Sequence, residues 1–294
     1  MRRPPCKVVL LGSTGFIGSN LLARFRQMEG LSVRGFDSSA LDLTQPQAWQ
    51  RLSEEVDPDT VLIVAARPRR PTKTFDYLLE ETAIAVNVGR CLAKQKIRKC
   101  VYLSTTAVYG DEKTNLNIHE KTLPQPTNLY GLSKYVSEKI LIQAALEKAN
   151  ELLILRPCMI YGSWATGEAY GPGKFVREIH TDKKIQVFGD GSERRHFLYI
   201  DDMAEITLRL ALGGETGIYN VAGPKGHSFK DIIRLLRKIV NERFEIRRVT
   251  RDRPKSSQGI KTVKLRRALP RFRFTSLEDG LKKVNLSTPS PIPC

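Results

Sequence analysis

Two side chains that can move a proton stand four residues apart in the segment Tyr130-Gly131-Leu132-Ser133-Lys134. On a helix this spacing places the phenol of Tyr130 and the ammonium of Lys134 on one face. A phenol has a pKa of about 10 and is a poor base at neutral pH. A neighbouring ammonium favours the phenolate and lowers that value. The pair is therefore a candidate general acid/base, and the lysine can also donate a hydrogen bond to a ribose.

A second candidate is a glycine loop formed by Gly12, Gly15 and Gly18, between an apolar segment and a helical one. Without side chains the loop can turn tightly, and its N–H groups can approach a pyrophosphate at the positive end of the helix. Asp37, at the end of the next predicted strand, suits a carboxylate that accepts hydrogen bonds from an adenosine ribose. A 2′-phosphate would meet like charge there, so we expect NAD. The nearby Arg34 leaves NADP open.

Alternating strands and helices must position these residues. Apolar runs predict strands at Lys7–Leu11, Leu31–Phe36, Val61–Ala66, Cys100–Ser104 and Leu152–Arg156. Helices are predicted at Ser19–Met28, Thr74–Gln95 and Asn128–Ala149. Unbroken apolar strands separated by helices are typical of a parallel sheet covered on both faces. We therefore predict an α/β fold, a doubly wound parallel (Rossmann) sheet with a smaller C-terminal α/β substrate domain.

The predicted domain boundary lies near residue 160. Residues 1–160 form the Rossmann domain, and 161–294 form mainly the substrate-binding domain. The sheet of the first domain is expected to take two later strands as well, near 196–203 and 217–222.

Further motifs occur in order along almost the whole chain. They are Ser104-Thr105-Thr106-Ala107-Val108-Tyr109-Gly110, Leu155-Arg156-Pro157-Cys158-Met159-Ile160-Tyr161-Gly162, Gly189-Asp190-Gly191, Phe197-Leu198-Tyr199-Ile200-Asp201-Asp202 and Leu277-Glu278-Asp279-Gly280-Leu281. With the glycine loop and the Tyr/Lys pair, they make the chain resemble the extended short-chain dehydrogenase/reductase family. Its NAD-dependent epimerase/dehydratase group acts on nucleotide sugars.

The resemblance implies a role for each matching residue. Tyr130 would exchange a proton with a sugar hydroxyl, Lys134 would tune it, and Thr105 would hydrogen-bond the same oxygen. Arg195 would pair with the nucleotide diphosphate, which suits a bidentate guanidinium. The residues expected at the cofactor are Gly12, Thr14, Gly15, Phe16, Ile17, Gly18, Asp37, Asp42, Leu43, Ala65, Ala66, Asn87, Ser104, Tyr130, Lys134 and Pro157. The residues expected at the substrate are Arg67, Thr106, Arg195 and Arg253.

Some of these residues also have a purely structural interpretation. Asp42 is equally well explained as an acid that precedes a helix, and Asn87 as a helix residue that faces solvent. Arg195 could be a surface charge beside Arg194. The loop that carries Arg67 could be solvated.

Departures from the family pattern narrow the reaction. Dehydratases of the family carry an Asp-Glu pair after the catalytic threonine, but here Thr106 and Ala107 stand at those positions, and neither can serve as an acid or a base. We expect an NAD-dependent nucleotide-sugar epimerase that acts at C4 through a keto-sugar intermediate. The alternative is an NAD(P)H-dependent nucleotide-sugar 4-ketoreductase. A non-catalytic cofactor-sensing or RNA-associated protein is a third hypothesis, which the intact Tyr130 and Lys134 disfavour.

The positive charge of the 294-residue chain suggests an anionic partner. Its net charge is +17, from 48 Lys and Arg against 31 Asp and Glu, which first suggests nucleic acid. The segment Arg234–Lys283 alone holds 17 cations and 5 acids, a net charge of +12, within the predicted substrate domain. A nucleotide diphosphate is an anion too, so we assign the charge to substrate binding and solvated surface, and expect no nucleic-acid partner.

Composition indicates the compartment and the remaining partners. The five scattered cysteines predict a reducing, cytoplasmic environment. The four histidines lack metal-ligand spacing, so no metal is expected. No apolar run approaches the roughly 18 residues of a membrane span. The helices Thr74–Gln95 and Asn128–Ala149 match those that form a four-helix dimer interface in the family, so the resemblance implies a homodimer.

Overall fold

The computed structural model describes residues 7–111, 114–163, 172–251 and 254–287. They form two compact units. The first comprises the chain up to Gly110 with Glu120–Arg156 and Ala204–Tyr219, and the second comprises Asp111–His119, Pro157–Met203 and the chain from Asn220 onward. None of the helices in these ranges combines the length and the apolar character that a membrane span requires.

Short strands and longer helices alternate along the chain. The strands are β1 (Lys7–Leu11), β2 (Ser32–Phe36), β3 (Thr60–Val64), β4 (Lys99–Leu103), β5 (Asn115–Ile118), β6 (Glu151–Pro157), β7 (Met159–Tyr161), β8 (Lys184–Phe188), β9 (Arg194–Tyr199), β10 (Gly217–Val221), β11 (Gly226–Ser228), β12 (Glu245–Val249) and β13 (Gln258–Ile260). The helices are α1 (Phe16–Arg26), α2 (Ala48–Glu54), α3 (Phe75–Lys94), the 3₁₀ helix η1 (Thr106–Tyr109), α4 (Leu129–Glu147), α5 (Pro172–Asp182), α6 (Ile200–Leu212), α7 (Phe229–Ile239), α8 (Val263–Ala268) and α9 (Leu277–Ser287).

The first unit is built on a six-stranded sheet in the order β10-β6-β4-β3-β1-β2. β1 is parallel to both β2 and β3, β3 to β4, and β4 to β6. The chain runs outward from β1 to β2 and then returns to β3 on the other side of β1. This reversal is the topological switch point at which doubly wound sheets bind their ligands, outside the carboxyl ends of the strands.

The register brings those carboxyl ends to one edge. Leu11 lies opposite both Phe36 and Val64, and Leu103 lies opposite Leu155. The residues that follow these strands therefore emerge side by side. β3 and β4 are buried along their whole length, which explains why each continues, after its first residue, as an apolar run rather than an alternating one.

Two long helices cover this sheet and pack against each other. The predicted starts of both are confirmed, because Thr74 caps α3 by accepting a hydrogen bond from the Tyr77 N–H, and Asn128 caps α4 in the same way. α3 also ends as predicted, with Gln95 as its C-cap, whereas α4 ends at Glu147 rather than at Ala149. The helices approach closely at Gly89, where a Cβ would lie 3.2 Å from Ile140 Cγ2. A larger residue at Gly89 would therefore push α3 away from α4.

The second unit contains three small sheets. They have the strand orders β11-β9-β7, β12-β8 and β13-β5. The helix α7 begins with a capping box, in which the side chains of Ser228 and Asp231 each bond the backbone N–H of the other.

One predicted strand assignment is wrong. Residues near 196–203 were expected in the central sheet, but β9 pairs with β7 and β11 in a separate sheet, and the chain enters α6 at Ile200. The reason lies at Pro157, which has no N–H to continue a ladder. β6 ends there, and the next residues, β7, form the strand that β9 joins. The strand predicted near 217–222 is β10, at the edge of the central sheet.

His196 holds three segments of the second unit together. Its Nδ1 lies 2.8 Å from the carbonyl oxygen of Gly223, and its Nε2 lies 3.1 Å from the backbone N–H of Ile260. One nitrogen must donate and the other accept, so this geometry requires the neutral ring. Burial lowers the pKa of His196 below its ordinary value of 6.5.

We predict that His196 makes the stability of the protein fall in mild acid. Below pH about 6.5 the unfolded chain binds a proton that the folded chain does not, so the free energy of unfolding decreases until the pH reaches the lower pKa of the folded state. Chemical denaturation at pH 7.5, 6.5 and 5.5 measures this, with H196Q as the comparison. The H196Q chain should be less stable at pH 7.5 and lose less on acidification. Equal pH dependence in the two chains would contradict the prediction.

Candidate active site

The glycine loop follows β1 at the carboxyl edge of the sheet. Gly12 has φ +81° and packs so tightly that a Cβ would lie 2.6 Å from the Ala66 backbone, while a Cβ on Gly18 would lie 1.9 Å from the Gly12 carbonyl oxygen. These contacts hold the loop against α1 and against the residues after β3. The sequence-predicted Ala65 and Ala66 are thus neighbours of the loop, since Ala65 N–H also bonds Leu11 O at 3.0 Å.

The start of α1 suits a bound diphosphate. Its N-cap is Gly15, which has no side chain to cap the helix, and its first turn carries no acid. Thr14 and Gly15 are exposed, and the nearest atom to a Cβ on Gly15 is 3.4 Å away. An uncapped helix N-terminus with an open approach is a site for an anion. The loop residues Thr14 to Gly18 therefore fit the phosphates of a dinucleotide.

Asp37 comes directly after β2, beside this loop. Its Oδ1 accepts hydrogen bonds from the Ser39 hydroxyl at 2.6 Å and from the N–H groups of Ser39 and Ala40, both at 3.0 Å. The Ser39 hydroxyl and these N–H groups lower the pKa of Asp37, with a contribution from the charge of Arg69. The carboxylate is therefore ionised at neutral pH, and its Oδ2 is left to accept from a ribose hydroxyl.

Three other residues expected at the cofactor have local partners. The carboxylate of Asp42 accepts from Thr44 and Gln45, and Leu43 is 5% exposed within the apolar core. Asn87 is buried, and its amide donates to the carbonyls of Leu43, Gln45 and Ala83. In this structure these side chains shape the loop after β2, and their contact with a cofactor stays a prediction.

The Tyr/Lys pair lies in the first turns of α4. Asn128 Oδ1 accepts from the Gly131 N–H at 2.8 Å and starts the helix. Gly131 is required for the approach of this turn to η1, because a Cβ there would lie 2.6 Å from the Ala107 carbonyl oxygen. Tyr130 is half-buried beside this contact. Thr105, which caps η1 through a 3.2 Å bond from the Ala107 N–H, is thereby brought to the same end of the sheet.

Lys134 points its ammonium at the carboxyl end of β4. Its Nζ lies 3.2 Å from the Leu103 carbonyl oxygen and 2.7 Å from Oε1 of Glu81. The side chain of Lys134 is 6% exposed and that of Glu81 is 1% exposed. Glu81 was not predicted as a site residue. The sequence around it gives no signal for this contact, because its neighbour in the same helix, Glu80, is an identical residue.

A second buried ion pair lies near the carboxyl ends of β4 and β6. Arg156 donates to both carboxylate oxygens of Glu138, at 2.9 and 2.6 Å, and to the Tyr109 hydroxyl at 2.8 Å. Burial opposes the charge of Arg156, but the bonds to Glu138 outweigh it and raise the pKa of the guanidinium. Ser104, expected at the cofactor, donates its hydroxyl to Glu138. The network thus joins α4, η1 and the ends of β4 and β6. Pro157, also expected at the cofactor, directly follows Arg156.

The residues expected at the substrate are divided between the two units. Arg67, exposed after β3, and Thr106, buried in η1, belong to the first unit. Arg195 belongs to the second, where it donates to the carbonyl of Ser256 at 2.6 Å and to its hydroxyl at 2.9 Å. Burial lowers the pKa of Arg195. Arg253 lies outside the described residues.

A parallel sheet with a glycine loop after its first strand, an acid after its second strand and a Tyr/Lys pair is the arrangement expected of a dinucleotide-dependent oxidoreductase. Residues 8–222 match the profile of the NAD dependent epimerase/dehydratase family. The chain therefore belongs to that family and is an NAD(P)-dependent enzyme of the extended short-chain dehydrogenase/reductase type. This confirms the predicted family, fold class and nicotinamide cofactor.

Relatives with several activities resemble the chain. A GDP-6-deoxy-D-talose 4-dehydrogenase of Aggregatibacter actinomycetemcomitans is 27% identical over 248 residues, which cover 82% of each chain. A GDP-6-deoxy-D-mannose reductase of Pseudomonas aeruginosa is 27% identical over 255 residues, again 82% of each. Among solved structures, the Thermus thermophilus UDP-glucose 4-epimerase with NAD has a TM-score of 0.83 at 20% identity, covering 95% of this chain and 97% of that one. RMD from Pseudomonas aeruginosa with NADPH has a TM-score of 0.82 at 22% identity and the same coverage.

We predict that R156M destabilises the protein by about 3–5 kcal/mol, because it leaves the buried carboxylate of Glu138 without its cation. Urea denaturation measures the change. The matched control is K282M, which removes one partner of the exposed pair Lys282–Glu278 and should leave the free energy of unfolding almost unchanged. Similar losses of stability in the two variants would contradict the prediction that the buried pair contributes more than an exposed one.

Proposed function

We propose that the protein is an NAD-dependent epimerase that inverts C4 of a nucleotide sugar. The observation that supports this is that α4, which carries Tyr130 and Lys134, packs against η1, which Thr105 caps, in the same unit as the glycine loop and Asp37. These are the groups needed to hold a dinucleotide and to move the proton of a sugar hydroxyl.

In this mechanism side chains of the protein transfer the proton. Tyr130 takes the proton of the C4 hydroxyl and later returns it, while the Thr105 hydroxyl bonds the same oxygen and fixes its position. Lys134, one helical turn from Tyr130, is the residue that we expect to assist this proton exchange and to bond the cofactor ribose. The nicotinamide, when bound, accepts and returns the hydride. The resulting keto sugar must turn within the site, so that the hydride returns to its opposite face.

Asp37 supports NAD over NADP. An epimerase regenerates its cofactor in each turnover, so it does not need a supply of NADPH. An ionised carboxylate at this position accepts hydrogen bonds from ribose hydroxyls but repels a 2′-phosphate. Thr106 and Ala107 argue against water elimination, since a dehydratase needs two titrating groups after Thr105.

Reduction of a 4-keto nucleotide sugar is the second candidate. It is favoured by the two relatives at 27% identity, which are named as a 4-dehydrogenase and a reductase of GDP-6-deoxyhexoses. The residues of the site would serve equally, with Tyr130 donating the proton to the keto oxygen. The difference is whether the nicotinamide is regenerated or consumed.

The residues that we expect at the substrate remain Arg67, Thr106, Arg195 and Arg253, and the guanidinium groups among them suit a diphosphate. We expect the enzyme to act in the cytoplasm, because the cysteines Cys91, Cys100 and Cys158 are buried free thiols.

The reaction can be decided in one assay. The protein is incubated with UDP-glucose, UDP-galactose and their GDP counterparts and catalytic NAD, or with 4-keto nucleotide sugars and NADH or NADPH. An epimerase yields the C4-inverted sugar by NMR with no net change at 340 nm, and a reductase consumes the reduced cofactor stoichiometrically. Y130F should lower kcat by about 10²- to 10⁴-fold, and the same-helix control Y135F should not. Turnover unchanged in Y130F would overturn both proposals.

A homodimer is proposed from an apolar surface on α3. Phe75 and Leu79, one helical turn apart, are 73% and 67% exposed, which is unusual for large apolar side chains on one face. A second copy of the chain is the expected partner, as the family resemblance implies.

F75E/L79E should therefore convert a dimer to a monomer, weakening association by about 100-fold or more, because two large apolar side chains lose their burial. Multi-angle light scattering measures the mass. L286E, on α9 and 85% exposed, is the control and should leave the mass unchanged. A wild-type chain of monomer mass at high concentration would refute the dimer.

A further inference from the structure

A buried carboxylate touches the proposed catalytic lysine. Glu81, on α3, is 1% exposed and receives three groups: Lys134 Nζ at 2.7 Å and the Tyr102 hydroxyl at 3.0 Å on Oε1, and the Tyr77 hydroxyl at 3.4 Å on Oε2. A carboxylate in the interior is costly unless it is paired and hydrogen-bonded. These contacts supply that compensation, so Glu81 and Lys134 form a buried and hydrogen-bonded pair.

Glu81 restricts where the ammonium of Lys134 can point. An ammonium has three N–H donors. Glu81 Oε1 and the Leu103 carbonyl oxygen take two of them, and the Tyr102 ring lies 5.0 Å from Nζ. The remaining donor direction is therefore set by the protein before any ligand binds.

We propose that Glu81 is a positioning residue, which orients the ammonium of Lys134 toward the cofactor. This rests on the proposed role of Lys134. A carboxylate 2.7 Å from Nζ holds the ammonium in one direction, so that its remaining donor is available to a bound ribose.

The other titratable groups around the pair do not replace it. They are Tyr77 on α3, Tyr102 on β4, Tyr130 and Glu138 on α4, and Arg67 after β3. Burial, with a contribution from Glu81, raises the pKa of Tyr77 and Tyr102, so both remain neutral donors. Glu138 is neutralised by Arg156. Arg67 is exposed and therefore screened.

The test asks whether Glu81 acts through Lys134, on the full chain and without any sugar. NAD dissociation constants are measured by calorimetry for the wild type, E81Q, K134M and E81Q/K134M. E81Q should weaken NAD binding about tenfold in the wild type and have no effect in the K134M background. E80Q is the matched control, since the adjacent Glu80 pairs with Arg70 at the surface, and it should leave the affinity unchanged. Equal weakening in both backgrounds would make Glu81 a merely structural residue and overturn the proposal.

If E81Q fails to fold, E81D takes its place. It keeps the charge but withdraws it by one methylene, and it should weaken NAD binding by a smaller amount. Wild-type affinity of E81D for NAD would overturn the proposal. Because the test uses no sugar, failure of the proposed reaction with all nucleotide sugars would leave this inference standing, and the reverse also holds.

Discussion

The structure depends on the register of the parallel strands around β1. Because Leu11 is level with Phe36 and with Val64, the glycine loop, Asp37 and Ala65 emerge together at the switch point of the sheet. A slip of one residue in either ladder would turn the following side chain to the opposite face. Gly12 enforces this arrangement locally, since no side chain fits between its Cα and the Ala66 backbone.

Charge in the interior is the second constraint. The first unit buries two ion pairs near the ends of β4 and β6, Lys134–Glu81 and Arg156–Glu138. Apolar residues of similar volume often give equal or greater stability at such positions. Here the pairs join elements that are distant in sequence and hold α4 in one orientation, so their value lies in geometry more than in stability.

The sequence predicts much of the fold because the signals involved are local. Apolar runs mark β3 and β4, and Thr74 and Asn128 mark the starts of α3 and α4. The Tyr130/Lys134 spacing lies within a single helix. The membership of β9 could not be predicted, because it depends on which neighbour a strand meets after Pro157 interrupts the ladder. Glu80 and Glu81 show the same limit: two adjacent identical residues, one exposed beside Arg70 and the other buried beside Lys134. Only tertiary packing distinguishes them.

Along α4, Tyr130, Lys134 and Glu138 repeat every four residues, so one stripe of the helix carries the proposed acid/base, its cation and the anchor of Arg156. Turning the helix by one residue, about 100°, would withdraw all three at once. Assembly of the site is therefore cooperative, because a chain in which α4 packs incorrectly loses all three residues from the site together. Activity should then depend on the correct packing of this helix in an all-or-none way.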